Sequence, residues 1–411
     1  MNMPNFTASV IGGGPAGMTA AISAALSGAK TILFEKNDRA GKKLLLTGNG
    51  RCNLTNHDLS LFHFHGDSPS FAEAALAAFK LGKTLEFFRR IGLEFAEEED
   101  GKIFPAGFQA SGVLDVLRFE MERLGVSVIP NTGIQSISLK DGFILKARDQ
   151  KEFRTQKLIL ACGGKSAPQT GSDGSGYRLA EMLGHTIRTP FPSLVQLKLS
   201  GELCPAMDGM KWAGKVSVYS NREEKTSAAG DILFTRYGIS GLAALSVSRT
   251  AVQEMMNGNQ TEISIDLLPD MPPEEITATI KNRRNSHPDW TLEHFFTGWI
   301  NKRIGQSVLK SAGLKLGSPV SSLNEKAMNS IAGKLKDFRF ELTGDTGYPN
   351  SQVTAGGVDT SEVNPLTMES KIRKSLYFAG EILDIDGDSG GYNLQWAWSS
   401  GWLAGKSAGK E

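Results

Sequence analysis

The feature that most constrains this chain stands near its start. Gly12-Gly13-Gly14-Pro15-Ala16-Gly17 carries glycines in the spacing G-x-G-x-x-G. The apolar stretch Phe6 to Ile11 precedes it and reads as a buried strand. The small-residue run Met18 to Leu26 follows and reads as a helix, with Ala21 and Gly28 extending its narrow face. Thr31 to Phe34 reads as a second short strand, closed by the carboxylate of Glu35. These are the parts of a βαβ dinucleotide site. Gly12 permits the tight turn, Gly14 lets a pyrophosphate approach the backbone, and Gly17 lets helix and strand pack closely. The helix start at Pro15 and Ala16 offers N–H groups and partial positive charge to phosphates. The plainer alternative is a glycine-rich turn in a generic α/β protein. The strand before, the helix after and the acid at the right distance weigh against it. Glu35 suits a free ribose 2′-hydroxyl, so the nucleotide expected is FAD or NAD rather than NADP.

The chain has 411 residues, enough for two or three domains at about 100–200 residues each. Hydrophobic residues at 40% and charged residues at 22% are ordinary globular usage, which excludes disorder, collagen and coiled coil as whole-chain classes. Lys and Arg number 45 against 44 Asp and Glu, so no global positive charge points to nucleic acid or anionic membrane. Cys52, Cys162 and Cys204 form no CxxC, which leaves a dithiol motif and a Cys-rich zinc site unsupported and suits a reducing cytosol. Ala8 to Ala29 is apolar, but no basic stretch precedes it and glycines interrupt it. No run approaches the roughly 20 apolar residues of a spanning helix. The expectation is a cytoplasmic protein with no membrane segment.

The later chain separates FAD from NAD. Lys157 to Ala161 reads as a strand running into Cys162-Gly163-Gly164. Leu376 to Ala379 reads as another, ending in Gly380-Glu381. A turn at Gly387 to Gly391 then leads into a helix from about Asn393 to Ala404. In two-part FAD folds the chain leaves the nucleotide domain and returns late, placing an acid near the ribityl chain and a helix start near the flavin. A simple NAD dehydrogenase needs no such return.

Four blocks resemble one family, the YhiN/BaiN-like bacterial flavoproteins, also called the aminoacetone-oxidase family. They are Ile11 to Gly17, Gly41 to Asn53, Ala161 to Gly176, and Thr354 to Val358 running through Thr367–Ser370 to Gly390–Gln395. Gly41 to Asn53 is the most specific. The resemblance implies an α/β fold: a Rossmann-like FAD-binding domain of the two-dinucleotide-binding-domain flavoprotein type, with inserted β-barrel-like and small helical domains. The expected boundaries are 1–190 and 347–411 for the two parts of the FAD domain, 191–250 and 315–346 for the barrel-like insert, and 251–314 for the helical insert. Short strand-like runs at Leu194–Leu199 and Lys215–Tyr219, and aromatics at Trp290, Phe295, Phe296 and Trp299, agree in outline. The family's usual Thr-His at a middle-domain strand end departs here: Thr235 is followed by Arg236, and the expected Pro is Leu242. Arginine stays charged and is a poor proton shuttle, which puts any acid–base role of that His in doubt.

Non-covalent FAD is therefore the expected cofactor, with NAD(P)H as a transient reductant and no nicotinamide domain of its own. The expected contacts begin with Gly12, Gly14, Pro15, Ala16, Gly17, Glu35, Lys36, Lys42 and Lys43. They continue with Gly48, Asn49, Gly50, Arg51, Cys52 and Asn53, which plausibly wrap the flavin. Ile134, Ala161, Cys162, Gly163 and Gly164 follow, and Gly380, Glu381, Asp386, Gly391, Tyr392, Asn393 and Leu394 come from the return. Arg51 suits the pyrophosphate or a reduced anionic flavin. Binding outweighs catalysis for each of these residues, and no catalytic residue is assigned. Arg51, Asn53 and Phe104 are the candidates near the flavin. Cys52 and Cys162 read as packed side chains. Asp384, Asp386 and Asp388 alternate like metal ligands but lack the downstream Glu and flanking helices of a calcium loop, so they read as turn residues. His63 and His65, the closest histidine pair, read as solvated. No metal is expected.

The expected activity is hydride transfer between a small-molecule substrate and flavin N5, with reoxidation by oxygen or another acceptor. Two alternatives stand beside it: flavin-dependent reduction of uridine in ribosomal RNA, which the resemblance also allows, and a non-catalytic redox sensor. The span 281–340 holds 11 Lys or Arg against 4 acids. That surface is an expected RNA contact, weighed against a plain solvated helical face.

Overall fold

The computed structural model describes residues 6–410. The chain divides into two compact units, one comprising the stretch up to Pro192 together with the return from Gln352, the other running from Ser193 to Ser351.

The first unit is built on a seven-stranded sheet. Its order is Ser127–Ile129, Thr31–Phe34, Phe6–Ile11, Glu152–Leu160, Phe143–Ala147, Ile134–Leu139, with Leu376–Phe378 also on Glu152–Leu160. Glu152–Leu160 changes partners along its length. Its first half runs antiparallel to Phe143–Ala147, and its second half lies parallel between Phe6–Ile11 and Leu376–Phe378. The central parallel strands are apolar and buried, as strands covered on both faces must be, while the edge strand Ser127–Ile129 is partly exposed.

Helix Pro15–Leu26 covers this sheet, and the last helix, Tyr392–Gly409, packs along it. The contact is a small-residue seam. A methyl group on Gly401 or Gly405 would collide with the carbonyls of Ala16 or Ala20, and one on Gly409 would lie 2.7 Å from the carbonyl of Ala24. Ser23 Oγ donates to Trp402 O at 2.8 Å across the same seam, joining residues 379 apart. Both helices are longer than the sequence alone indicates, since glycines at a helix–helix contact cost propensity but permit close backbone approach.

The second unit holds a closed barrel of Leu197–Leu199, Gly238–Ser240, Glu223–Thr235, Lys211–Ser220, Thr261–Asp266 and Phe338–Asp345. Helices Pro273–Ser286, Lys302–Ser311 and Glu325–Lys336 lie between its last two strands. Two expected segments are corrected here. Thr261–Asp266, expected within the helical insert, is a barrel strand. Glu325–Lys336, expected within the barrel, is a helix. The strand is short and flanked by helices, so its alternation is swamped. The helix announces itself by an Asn324 cap, whose side chain accepts from Ala327 N at 2.9 Å, and by buried Met328, Ile331, Ala332 and Leu335.

Candidate functional site

A cleft opens over the carboxyl ends of Phe6–Ile11 and Glu152–Leu160, where open α/β sheets place their ligands. The glycine turn forms one wall. Gly12 has φ 108°, and a methyl group there would strike the Ala161 carbonyl; one on Gly17 would strike the Gly12 carbonyl. Gly14 is different: its Cβ position has nothing within 4 Å. Two glycines are thus closed by packing and one faces open space at the start of helix Pro15–Leu26. No side chain caps that start and no acid lies in its first turn, so it is left to attract an anion.

Glu35 is buried behind the turn. Its Oε2 accepts from Gly13 N at 2.8 Å, and its Oε1 accepts from the main-chain and side-chain nitrogens of Asn37, each at 2.8 Å. A carboxylate has about four acceptor positions, so one remains for a ribose hydroxyl. Nearby, the buried Ser172 hydroxyl lines the cleft and meets no partner among the described residues. An orphaned hydroxyl lining the same cleft as Glu35 fits a polar part of a dinucleotide. Lys36 Nζ reaches Asp173 at 2.6 Å and Ser175 Oγ at 3.2 Å. Burial alone pushes the Asp173 carboxyl up, but hydrogen bonds from Lys36 and Ser175 outweigh it and bring it down to about 2.

The returning segment supplies the opposite part. Glu381 Oε2 pairs with Lys43 Nζ at 2.6 Å, while its Oε1 accepts from Thr354 N at 2.9 Å. The cleft encloses about 1290 Å³, counting space open to solvent.

Of the expected contacts, Gly12, Gly14, Pro15, Ala16, Glu35, Lys36, Lys42, Lys43, Ile134, Ala161, Cys162, Gly163, Glu381, Asn393 and Leu394 line this cleft. Cys162 is pushed up to about 12 by burial and gives no thiolate near neutrality. Gly17, Gly164 and Gly380 serve the walls from behind. Gly164 backs onto Thr354 and Glu381, and Gly380 N donates to Ser400 Oγ at 2.9 Å. Asp386 is buried in a short strand pairing with His65. Gly391 and Tyr392 open the last helix, but the cleft wall there is Asn393 and Leu394.

The Gly48–Asn53 loop lies just beyond Thr47, which does line the cleft. Gly48, Asn49, Gly50 and Cys52 all have positive φ, between 55° and 84°. Cys52 is fully buried, its thiol pushed up to about 12 by desolvation. Oriented to satisfy both ends, the Asn53 amide donates to Thr55 O at 3.1 Å and accepts from Gly391 N at 3.2 Å. Arg51 is not among the residues that line the cleft. Its guanidinium lies 4.6 Å from the Phe104 ring centre and pairs with Glu98 at 2.8 Å. Phe104 itself is buried beneath it.

His63 and His65 are not merely solvated. Asp388 accepts from His63 Nδ1 at 2.9 Å and from His65 Nε2 at 2.7 Å, and Tyr392 stacks on His63 at 4.2 Å. Cleft residues that the sequence reading missed include Asn37, Thr132, Gly133, Arg148, Ser172 and Gln352. They come from irregular segments. The Asn following Glu35 by two positions was the one local signal.

Comparison with known proteins agrees with this geometry. The HI0933-like protein Rossmann domain family matches residues 6–407. The chain belongs to this family. A relative from Clostridium scindens, a 3-dehydro-bile acid delta(4,6)-reductase, is 37% identical, covering 97% of this chain and 98% of that protein. The ribosomal RNA dihydrouridine synthase of Escherichia coli is 31% identical over 97% of each. Among solved structures, the 3-ketosteroid-delta4-(5alpha)-dehydrogenase of Rhodococcus jostii shares the fold at TM-score 0.50 and 16% identity, with 99% of this chain and 97% of that one covered. The first unit carries the Rossmann-type fold of that family. No described helix is long and apolar enough to cross a membrane.

In the second unit, three arginines of the basic span 281–340 are engaged by backbone carbonyls, while Lys281, Lys310, Lys315 and Lys326 are exposed. Arg283 donates to Phe295 O and Thr297 O at 2.8 and 2.7 Å, and Arg284 to Leu323 O and Ser321 O at 2.7 and 3.3 Å. Arg303 donates to Ala206 O and Asp208 O at 2.7 and 2.8 Å, and Lys302 pairs with Glu293 at 3.1 Å.

Proposed function

We propose that this protein is an FAD-dependent reductase acting on a carbon–carbon double bond conjugated to a carbonyl in a small molecule. The two named activities of its relatives share that element. A 3-dehydro-Δ4,6 bile acid presents a conjugated dienone, and the uracil ring of uridine presents C5=C6 beside a carbonyl. The observation that carries the reading is the cleft itself, with a Gly14 turn opening on free space, a Glu35 carboxylate with one acceptor position left, and an orphaned Ser172 hydroxyl.

Glu35 and Ser172 would hold the adenosine ribose, and the start of helix Pro15–Leu26 the pyrophosphate. Lys43 and Glu381 would hold the ribityl chain. The start of the last helix, which carries no acid in its first turn, would stabilise negative charge on the ring. When bound, FAD supplies the two electrons as hydride; the protein binds, orients and excludes water. NAD(P)H, binding transiently, is the proposed reductant.

A small molecule is favoured over RNA by the commitments of Arg283, Arg284 and Arg303, since guanidinium groups that cap carbonyls are less free for phosphates. The test is anaerobic. The yellow protein is reduced with NADH or NADPH, then mixed with a steroid dienone, a uridine-containing ribosomal RNA fragment, or oxygen. Return of the flavin absorbance with a saturated steroid product is the expected result. Turnover with RNA alone, or with oxygen alone, overturns the substrate class, and a protein that releases no FAD on acid precipitation overturns the whole reading.

A further inference from the structure

The segment Leu61 to His65 is tied to the turn that opens the last helix. Phe64 and His65 pair antiparallel with Gly387 and Asp386, and Asp388 N donates to His63 O at 3.0 Å. The side chains add a clasp. Asp388 Oδ2 meets His63 Nδ1 at 2.9 Å, and its Oδ1 meets His65 Nε2 at 2.7 Å. His63 Nε2 lies 3.2 Å from Asp58 Oδ2. Both ring nitrogens of His63 thus face carboxylates, and both contacts are hydrogen bonds only when each nitrogen carries a proton.

The clasp reaches the cleft through Asn393. Its Nδ2 donates to Gly387 O at 2.7 Å and to Asp388 O at 3.1 Å, its Oδ1 accepts from Gly387 N at 2.8 Å, and Asn393 lines the cleft. We propose that Asp388, gripped by His63 and His65, is a positioning residue for FAD, fixing the Gly387–Asn393 turn against the cofactor most firmly when His63 is doubly protonated. This rests on the reading that the cleft holds FAD.

The charges around the clasp agree with it. Burial pushes the Asp388 carboxyl up, but the hydrogen bonds from His65 and His63 outweigh it and hold it below the usual range. Tyr392, stacked on His63, is pushed up to about 12 by burial and by Asp58, Asp388 and Asp100. The titratable groups facing the two rings are therefore Asp58 from the preceding loop, Asp388 from the return, Tyr392 from the last helix and each other, with Asp100 beyond Tyr392.

The sign follows. A neutral His63 keeps one proton, so one carboxylate contact becomes lone pair against negative charge. Deprotonating His63 at higher pH therefore loosens the turn and weakens FAD binding. The test is the FAD dissociation constant of the full chain, read by flavin fluorescence from about pH 5.5 to about 8.5. For the unmodified protein it should rise by about fivefold over that range, the scale of one modest charge-assisted contact. Asp388→Asn and His63→Gln should flatten the profile. His57→Gln should not, because that ring meets the exposed Glu97 at 3.1 Å outside the clasp. Equal pH slopes in the unmodified protein and His63→Gln overturn the proposal while leaving FAD binding intact. Should Asp388→Asn unfold, as circular dichroism would reveal, the His63→Gln comparison decides alone. Absence of FAD binding at every pH overturns the proposed function instead.

Discussion

The two glycine turns of the first unit are held in opposite ways. At Gly12–Gly17 the backbone is pressed between neighbours. Added methyl groups on Gly12 and Gly17 would strike carbonyls, and only Gly14 looks out on space. At Gly48–Cys52 the backbone is exposed, and a methyl on Gly50 would meet only the Leu45 carbonyl, at 3.9 Å. That loop keeps its shape through left-handed residues anchored at one end by buried Cys52 and the Asn53 amide. One turn is held because it has no room, the other because one end is fixed. The first suits a permanent cofactor wall, and the second suits a loop that tolerates change at its tip.

The largest break in this contrast should come from Gly17→Ala. Its methyl cannot fit without moving helix Pro15–Leu26, so stability should fall by about 3 kcal/mol and bound FAD should be lost, as denaturation and chromophore content would report. Gly14→Ala should separate fold from binding. Stability should stay within about 0.5 kcal/mol while FAD affinity drops about tenfold; unchanged affinity would remove Gly14 from the phosphate wall. Gly50→Ala should cost about 1 kcal/mol of strain and leave FAD content unaltered. The smallest effect is a pH dependence. Desolvation raises the Cys52 thiol from 9.0 to about 12. Above the lower value the unfolded chain ionises its thiol and the folded chain does not, so stability falls as pH rises. Near pH 9.5 the component from Cys52 should be under about 1 kcal/mol and vanish in Cys52→Ala.

Local chemistry was legible. Gly12, Gly14, Gly17 and Glu35 are short-range backbone requirements, and each takes the place its residue type demands. Gly380-Glu381 was legible as a return, though its partner Lys43, 338 residues away, was not assigned to it. Ser172 and Arg148 were hidden because nothing local marks a residue brought to the cleft by sheet geometry. The surroundings of Arg51 and Arg303 were hidden for one reason: a guanidinium in a sequence shows its charge but not the ring or carbonyl beside it. The His63–Asp388 contact was illegible because its partners meet only when the last helix docks.

The glycine seam between Pro15–Leu26 and Tyr392–Gly409 bears on how the protein is made. Helix Pro15–Leu26 waits for a partner that is synthesised much later, since Ser23 and Trp402 are 379 residues apart. At about 5–20 residues per second, that wait lasts roughly 20 to 75 s. During it the alanine face of the early helix and the edge of Glu152–Leu160 that Leu376–Phe378 will occupy are uncovered. Ribosome-bound intermediates ending before Leu376 should therefore be protease-sensitive in the first unit while their barrel, complete by Asp345, is already protected.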